Sequence, residues 1–427
     1  MKESQPTSSK PLAGYLVGVQ REGMTAREAL DHLRELELLA TSYGVPVMGR
    51  ELAVLREPHA AFLLGAGKTR EIHQASMTLG ADVIIVDDDL SPSQQRNWER
   101  LTGLAVIDRR EVILGIFADR ARTREARLQV DLARAQYSLP RLARAWTHLE
   151  RQRGGGGFRG GGGEAQIEVD RRLVRRQIDR LRRELERVRR ARATQRKARA
   201  SVPVPVAAIV GYTNAGKSSL LNALTSAGAV EEDKLFATLD PATRKLILPN
   251  RQTLLLSDTV GFIRKLPHTL IDAFKATLEE AQLADMLIHV LDASHPDALE
   301  QRAATEAVLD ELGALGKPMA LVLNKIDLLG ADERMRLGIL GEGYRHVAAL
   351  STRTREGVGG LIAMLAGLSG HDLMRVRLRV PPSRHDIVSL VHREGDVESE
   401  SFDGADTMLE AVVPRRLRGR FAEFMET

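Results

Sequence analysis

The sequence predicts a multidomain α/β protein, and three observations carry that reading. The chain has 427 residues, too many for one compact core at roughly 150 residues per domain, so two to four modules are expected. Apolar strand-like runs alternate with helical patterns near the start and again in the middle, the pattern of parallel sheets. Between those regions lies a long arginine-rich helical stretch broken by glycines. Residues 1–120 are expected to form an N-terminal α/β domain, 121–201 a basic helical hairpin, 202–370 a second and larger α/β domain, and 371–427 a small α+β domain.

In the first region the apolar runs YLVGV (15–19), DVIIVD (82–87) and LAVID (104–108) read as strands. A helix is expected from Thr25 to Ser42, with Leu30, Leu33, Leu36 and Leu39 or Ala40 on its inner face. Another begins after Ser91-Pro92, where serine can cap and proline suits the first turn. Gly65-Ala-Gly-Lys-Thr69 imitates a phosphate loop, but Phe62 stands where the leading glycine belongs, so a turn or RNA contact is the better reading.

The hairpin rests on two seams. Leu128, Leu132, Ala135, Leu139, Leu142, Trp146 and Leu149 alternate spacings of four and three, as do Val174, Ile178, Leu181, Leu185 and Val188. Pro140 is expected to break the first arm near Leu139. Between the arms lies Arg153-GGGG-Phe158-Arg159-GGGG-Glu164, whose eight glycines are expected not to hold a regular helix. Residues 120–200 carry 24 Lys plus Arg against 9 Asp plus Glu, and every cation but Lys197 is arginine. The net charge of the whole chain is only +5, so the surplus of 15 is local and suits a polyanion. Arg153, Phe158 and Arg159 are the candidate RNA contacts at the tip.

Val202-Pro203-Val204-Pro205 reads as an extended joint into the domain that carries the chemistry. Gly211-Tyr212-Thr213-Asn214-Ala215-Gly216-Lys217-Ser218 fits G-x-x-x-x-G-K-S, follows the strand VAAIV and opens the helix SLLNAL from Ser219. Backbone N–H groups of such a loop surround a β-phosphate, Lys217 reaches the β- and γ-phosphates, and Ser218 ligates Mg2+. Asp258-Thr259-Val260-Gly261 follows TLLLS and places a carboxylate where it can orient a magnesium-bound water. In Phe236-Ala237-Thr238-Leu239-Asp240, Thr238 is chosen over Thr243 as second metal ligand and γ-phosphate sensor.

Base identity comes from Asn324-Lys325-Ile326-Asp327 after the strand MALVL. Asp327 can accept from both guanine N1 and N2, a donor pair that adenine lacks. Asn324 can brace the loops and Lys325 can cover the purine. Ser351-Thr352, with Arg353 beside it, is the expected loop lending N–H to guanine O6. Past Gly370, RVRLRV, DIVSLVH and MLEAVV alternate like strands.

No cysteine is present, which rules out disulfides, thiolate metal sites and cysteine nucleophiles. No apolar run reaches the roughly 18 to 20 residues of a membrane span, and MKESQPTSSK lacks a secretory apolar stretch. Cytoplasmic location is expected, with at most peripheral membrane association.

These motifs, together with ELELLATSYGVPVMGR, GAGKTREI, DDDLSPSQQRNWE, EAQIEVDRRLVRRQI, FATLDPATR and DTVGFI, resemble the HflX family of ribosome-associated GTPases over nearly the whole chain. The resemblance implies GTP and GDP as ligands, the large ribosomal subunit and its RNA as partner, and splitting or rescue of stalled ribosomes; a monomer is expected when the protein is free. Two stretches depart from the family's pattern: the tip lacks the proline of R-G-P-G-E, and STRT replaces the usual S-A-x-x-G. Phe262 stands where many GTPases carry a water-orienting glutamine, so slow intrinsic hydrolysis is expected, accelerated by the ribosome. Asn214 resembles the asparagine of potassium-assisted GTPases, which adds K+ to Mg2+ as a cofactor expectation. The competing reading is an RNA-binding or RNA-remodelling protein that GTP only regulates.

Overall fold

The computed structural model describes residues 12–144, 162–199, 204–225, 236, 242–250, 252–264, 280–370 and 373–426. The chain divides into two compact units, one built mainly on residues up to Arg190 and the other on most of the residues beyond it.

The first unit opens with a four-stranded parallel sheet in the order β2-β1-β3-β4, formed by β1 (Gly14–Gln20), β2 (Val47–Val54), β3 (Val83–Val86) and β4 (Ala105–Asp108). Helix α1 (Ala26–Ser42) starts at a capping box between Thr25 and Glu28 and buries Ala29, Leu33, Leu36, Leu39 and Ala40. Leu30 is 46% exposed, which corrects its expected inner position. The burial runs through Ala29 because a helical face repeats at three and four residues, so 29, 33, 36 and 40 align while 30 falls outside. Helix α2 spans Ala66–Thr78, and α3 (Pro92–Thr102) begins with Ser91 as cap and Pro92 in the first turn, as the dipeptide suggests.

The run of three aspartates after β3 is consumed structurally. Asp87 meets the buried Arg109 at 2.7 Å, Asp88 meets Arg21 at 2.9 Å and Asp89 meets Arg110 at 2.5 Å. Arg109 also reaches Glu35 at 2.7 Å, so this buried cation has two carboxylates to offset its desolvation.

Helices α4 (Arg109–Arg120) and α5 (Arg124–Ser138) lead into the hairpin. α5 stops at Ser138 and a 3-10 turn takes over from Leu139 to Arg144, the break expected of Pro140. The second arm is a helix over Gly162–Arg199. Two of the eight glycines therefore lie inside the helix, which corrects the expectation that the whole glycine run excludes one. Leu128, Ala135, Ile178, Leu181 and Leu185 are buried together, with Leu132, Leu139, Val174 and Val188 packed on them. The seams meet as their spacing requires. Trp146, Leu149 and the tip residues Arg153, Phe158 and Arg159 lie outside the described residues. Phe236 groups with this first unit, where its ring packs edge-on against Phe117 with centroids 4.6 Å apart.

The second unit contains a six-stranded sheet in the order β10-β9-β8-β5-β7-β6. Its strands are β5 (Val206–Gly211), β6 (Thr243–Ile247), β7 (Thr253–Asp258), β8 (Met286–Asp292), β9 (Met319–Asn324) and β10 (His346–Ala349). All pairings are parallel except β6 against β7. Every residue of β8 is buried, as expected of a parallel strand covered on both faces.

The C-terminal part holds an antiparallel sheet of β11 (Leu373–Val380), β13 (Asp406–Pro414) and β12 (Asp396–Asp403), in that order. DIVSLVH, expected as a strand, belongs to a helix over His385–Glu394. Ile387, Val388, Leu390 and Val391 are its buried residues, a three-and-four pattern that a short window also lets pass for alternation. β12, with the sequence DVESESFD, escapes a reading by pattern because almost every side chain in it is polar and exposed.

Candidate functional site

Four segments converge at the carboxyl ends of the parallel strands of the second unit, the edge where open α/β sheets bind ligands. The P-loop follows β5, D-x-x-G ends β7, N-K-x-D follows β9, and Ser351-Thr352 follows β10.

The P-loop is shaped by residues that tolerate unusual backbone. Gly211 has φ +147°, and a Cβ there would lie 2.2 Å from the Val290 carbonyl oxygen of β8. Gly216 has φ +95°, with a Cβ position 2.2 Å from Asn324 Nδ2. Asn214, an exposed residue, takes the left-handed conformation at φ +62°, which asparagine accepts more readily than most side chains. The helix Lys217–Thr225 then presents its amino end to the loop, where free N–H groups favour anions.

Lys217 is 7% exposed and donates to the Tyr212 carbonyl at 2.8 Å. Burial pushes its ammonium down to about 8, against the attraction of Asp258. Ser218 Oγ donates to Asp258 Oδ2 at 2.8 Å, which brings a hydroxyl and a carboxylate to one spot. Thr259 Oγ1 is tied to the Ile209 carbonyl at 2.7 Å, and Val260 is buried. Gly261 lies so close that a Cβ would be 2.8 Å from Lys217 Nζ and from Thr213 Cγ2. Phe262 is 2% exposed, so the ring at the water-orienting position is packed away.

On the other side of the loop, Asn324 is fully buried and joins two segments. Its Nδ2 donates to the Ala215 carbonyl at 2.9 Å and its Oδ1 accepts from Thr352 N at 3.1 Å. Lys325 has φ +65° and pairs with Asp292 at 2.8 Å. The Asp327 carboxylate, partly exposed, has no hydrogen bond or ion pair among the described residues, so its acceptors are open. Ser351 is buried, its N–H on the Glu356 carbonyl at 2.9 Å and its Oγ accepting from Thr354 N at 3.1 Å. Arg353 points out as an exposed residue.

Of the expected site residues, Ala237, Thr238, Leu239 and Asp240 lie outside the described residues; Thr243 is an exposed residue of β6 opposite Ser257. Phe236 is 3% exposed, its ring committed to Phe117. Sequence reasoning misses Asp292 and the Tyr212 hydroxyl. Asp292 has one signal, a carboxylate ending the apolar strand MLIHVLD at the same sheet edge as Asn324, with which it pairs in register.

The loop at Gly65 is built differently. Lys68 is held by Glu51 and Glu71, and Thr69 is fully buried with its hydroxyl on the Gly65 carbonyl at 3.1 Å. A lysine neutralised by two carboxylates has little left for a phosphate. Among the described residues no group of three or more His, Cys, Asp or Glu side chains could hold a metal ion, and no helix is long and apolar enough to cross a membrane.

Residues 30–118 match the family model described as GTP-binding GTPase N-terminal, 120–199 the GTP-binding GTPase Middle Region, and 206–325 the 50S ribosome-binding GTPase. A GTP-binding protein from Sulfolobus solfataricus, solved with GDP, aligns with 84% of this chain and 99% of its own at 26% identity and a TM-score of 0.46. GTPase HflX of Escherichia coli K12 is 42% identical over 88% of each chain. GTPase HflX of Akkermansia muciniphila is 50% identical over 96% of each, so the chain belongs to the HflX family of GTPases.

Proposed function

We propose that this GTPase binds the large ribosomal subunit and couples GTP binding and hydrolysis to splitting or rescue of stalled ribosomes. The observation that carries this reading is the arginine face of the helix Gly162–Arg199: Arg172, Arg175, Arg176 and Arg187 are exposed and form no ion pair among the described residues. Such a face offers forked donors to a phosphate backbone. The matched family's description as a 50S ribosome-binding GTPase supports the same partner. The cytoplasm is the compartment that partner implies.

In this reading Gly211 to Ser219 hold the phosphates, Asp327 reads guanine with the loop of Ser351, Thr352 and Arg353 beside it, the Ser351 and Thr352 N–H groups being held by Glu356 and Asn324, and Lys325 covers the base. Mg2+ fits the hard oxygen donors brought together at Ser218 and Asp258. Ser218 and Thr238 would ligate it and Asp258 would orient its water. When bound, the ion neutralises charge developing on the phosphates. K+ at Asn214 is a further part of the proposal, to be tested by comparing rates in potassium and sodium. The tip residues Arg153, Phe158 and Arg159 would contact RNA.

With Phe262 buried, no side chain from that position reaches the attacking water, so intrinsic hydrolysis is slow and a partner must complete the site. The test is GTP hydrolysis with and without large ribosomal subunits, with Lys217→Ala as control. Stimulation that vanishes in the variant supports the proposal; indifference to ribosomes removes it. The alternative, an RNA-remodelling protein regulated by GTP, predicts that deleting residues 153–164 abolishes effects on RNA or subunits, whereas a pure switch keeps its ribosome-stimulated hydrolysis after the same deletion.

A further inference from the structure

The segment after D-x-x-G is fastened to the P-loop by more than its sequence motif requires. Phe262 forms a parallel bridge with Tyr212: Thr213 N donates to the Phe262 carbonyl at 2.7 Å, and Phe262 N donates to the Gly211 carbonyl at 3.1 Å. Two residues on, Arg264 N donates to the Tyr212 hydroxyl at 2.7 Å. The Arg264 guanidinium then reaches Glu300 at 2.7 Å and Asp297 at 3.6 Å, at the start of the helix Ala298–Glu311.

Tyr212 therefore serves twice. Its carbonyl accepts from Lys217 Nζ at 2.8 Å, and its hydroxyl, at the end of a ring only 4% exposed, holds the arm that carries Gly261. Gly261 approaches both Lys217 Nζ and Thr213 within 3 Å of a would-be Cβ, a closeness that needs the arm to lie flat on the loop. A backbone bridge of one residue pair is a short hinge. The hydroxyl and the Arg264–Glu300 pair anchor its far end.

We propose that Tyr212 and Arg264 are positioning residues, a latch that sets the Gly261 amide against Lys217 where the terminal phosphate of GTP is received. The ring hydroxyl and the guanidinium act through Gly261 and do not themselves contact nucleotide. Because GDP lacks the phosphate that Gly261 meets, the latch governs GTP and leaves GDP alone. The inference rests on the P-loop and D-x-x-G assignment proposed above and is independent of the ribosomal partner.

Tyr212→Phe keeps the ring and deletes the hydroxyl that accepts from Arg264 N, and the net worth of such a hydrogen bond corresponds to about three- to tenfold in an equilibrium. The purified full-length chain is assayed for GTP hydrolysis and for GTP-analogue and GDP affinity, with a thermal melt alongside. The expected result is a roughly three- to tenfold fall in kcat and in analogue affinity, GDP affinity within about twofold and an unshifted melt. Arg264→Ala is expected to reproduce the GTP-selective loss, Arg264→Lys to restore part of it, and the double variant to lose less than the product of the single losses. Equal weakening of GTP analogue and GDP, or wild-type turnover in Tyr212→Phe, overturns the latch. If the site assignment itself is wrong, Lys217→Ala keeps hydrolysing GTP; if only the latch is wrong, Lys217→Ala is inactive while Tyr212→Phe is not.

Discussion

Lys217 should make the nucleotide-free protein less stable than it would be with an apolar side chain of similar length. The ammonium is buried, its one described hydrogen bond is to the Tyr212 carbonyl, and burial lowers it from 10.5 to about 8. In the unfolded chain the lysine stays charged up to its ordinary value, so below pH 8 folding must bury a charge. By linkage that costs about 3 kcal/mol at pH 7 and about 1 kcal/mol at pH 9.5, the penalty fading as pH rises from 8 toward 10.5. Lys217→Met removes the penalty and forfeits a hydrogen bond worth about 1 kcal/mol, leaving a net gain near pH 7 of about 2 kcal/mol. Urea denaturation of nucleotide-free protein, wild type against Lys217→Met, reads this directly. The variant is expected to be more stable at pH 7, with the gap shrinking by about 2 kcal/mol at pH 9.5, and to have lost GDP binding. A variant less stable than wild type at pH 7, or a gap independent of pH, would refute the argument that the lysine is held at a cost for phosphate.

Other substitutions test the remaining parts. Asn324→Ala removes the side chain that joins Ala215 to Thr352 and is expected to weaken guanine-nucleotide affinity by about ten- to a hundredfold, measured with a fluorescent GDP analogue; unchanged affinity would show that the bridge is dispensable. In the hairpin, Leu181→Ala empties a position only 4% exposed and should cost the helical pair about 2 to 5 kcal/mol, seen as lost amide-exchange protection between Val174 and Val188. Changing Arg172, Arg175 and Arg176 together to glutamate should weaken binding to large subunits and flatten its dependence on salt by about one phosphate contact per arginine, whereas GTP hydrolysis without ribosomes stays as it was.

The legible part of this protein is the part written in local pattern. The four nucleotide motifs lie at strand ends as read, since each needs only an apolar run followed by a turn, and the parallel sheet then brings those ends to one edge. The hairpin seams are equally legible because heptad spacing is a property of one helix at a time. Where pattern is short it misleads: DIVSLVH has too few residues to separate a period of two from one of 3.6, and DVESESFD hides a strand because its side chains are nearly all polar and exposed and carry no alternation, while its backbone pairs with β13.

Sequence by itself determined the class of the protein, its ligand chemistry and the uneven placement of its arginines, all of which come from residue types at fixed spacing. Tertiary structure alone decided that Lys217 is buried against a carbonyl, that Asp292 meets Lys325, that the aspartates after β3 are each matched by an arginine, and that the Tyr212 hydroxyl holds Arg264. Most of these are contacts between residues tens of positions apart. Their energy depends on burial and on distances of a few ångströms, which the order of residues along the chain does not encode until the sheet and its helices have packed.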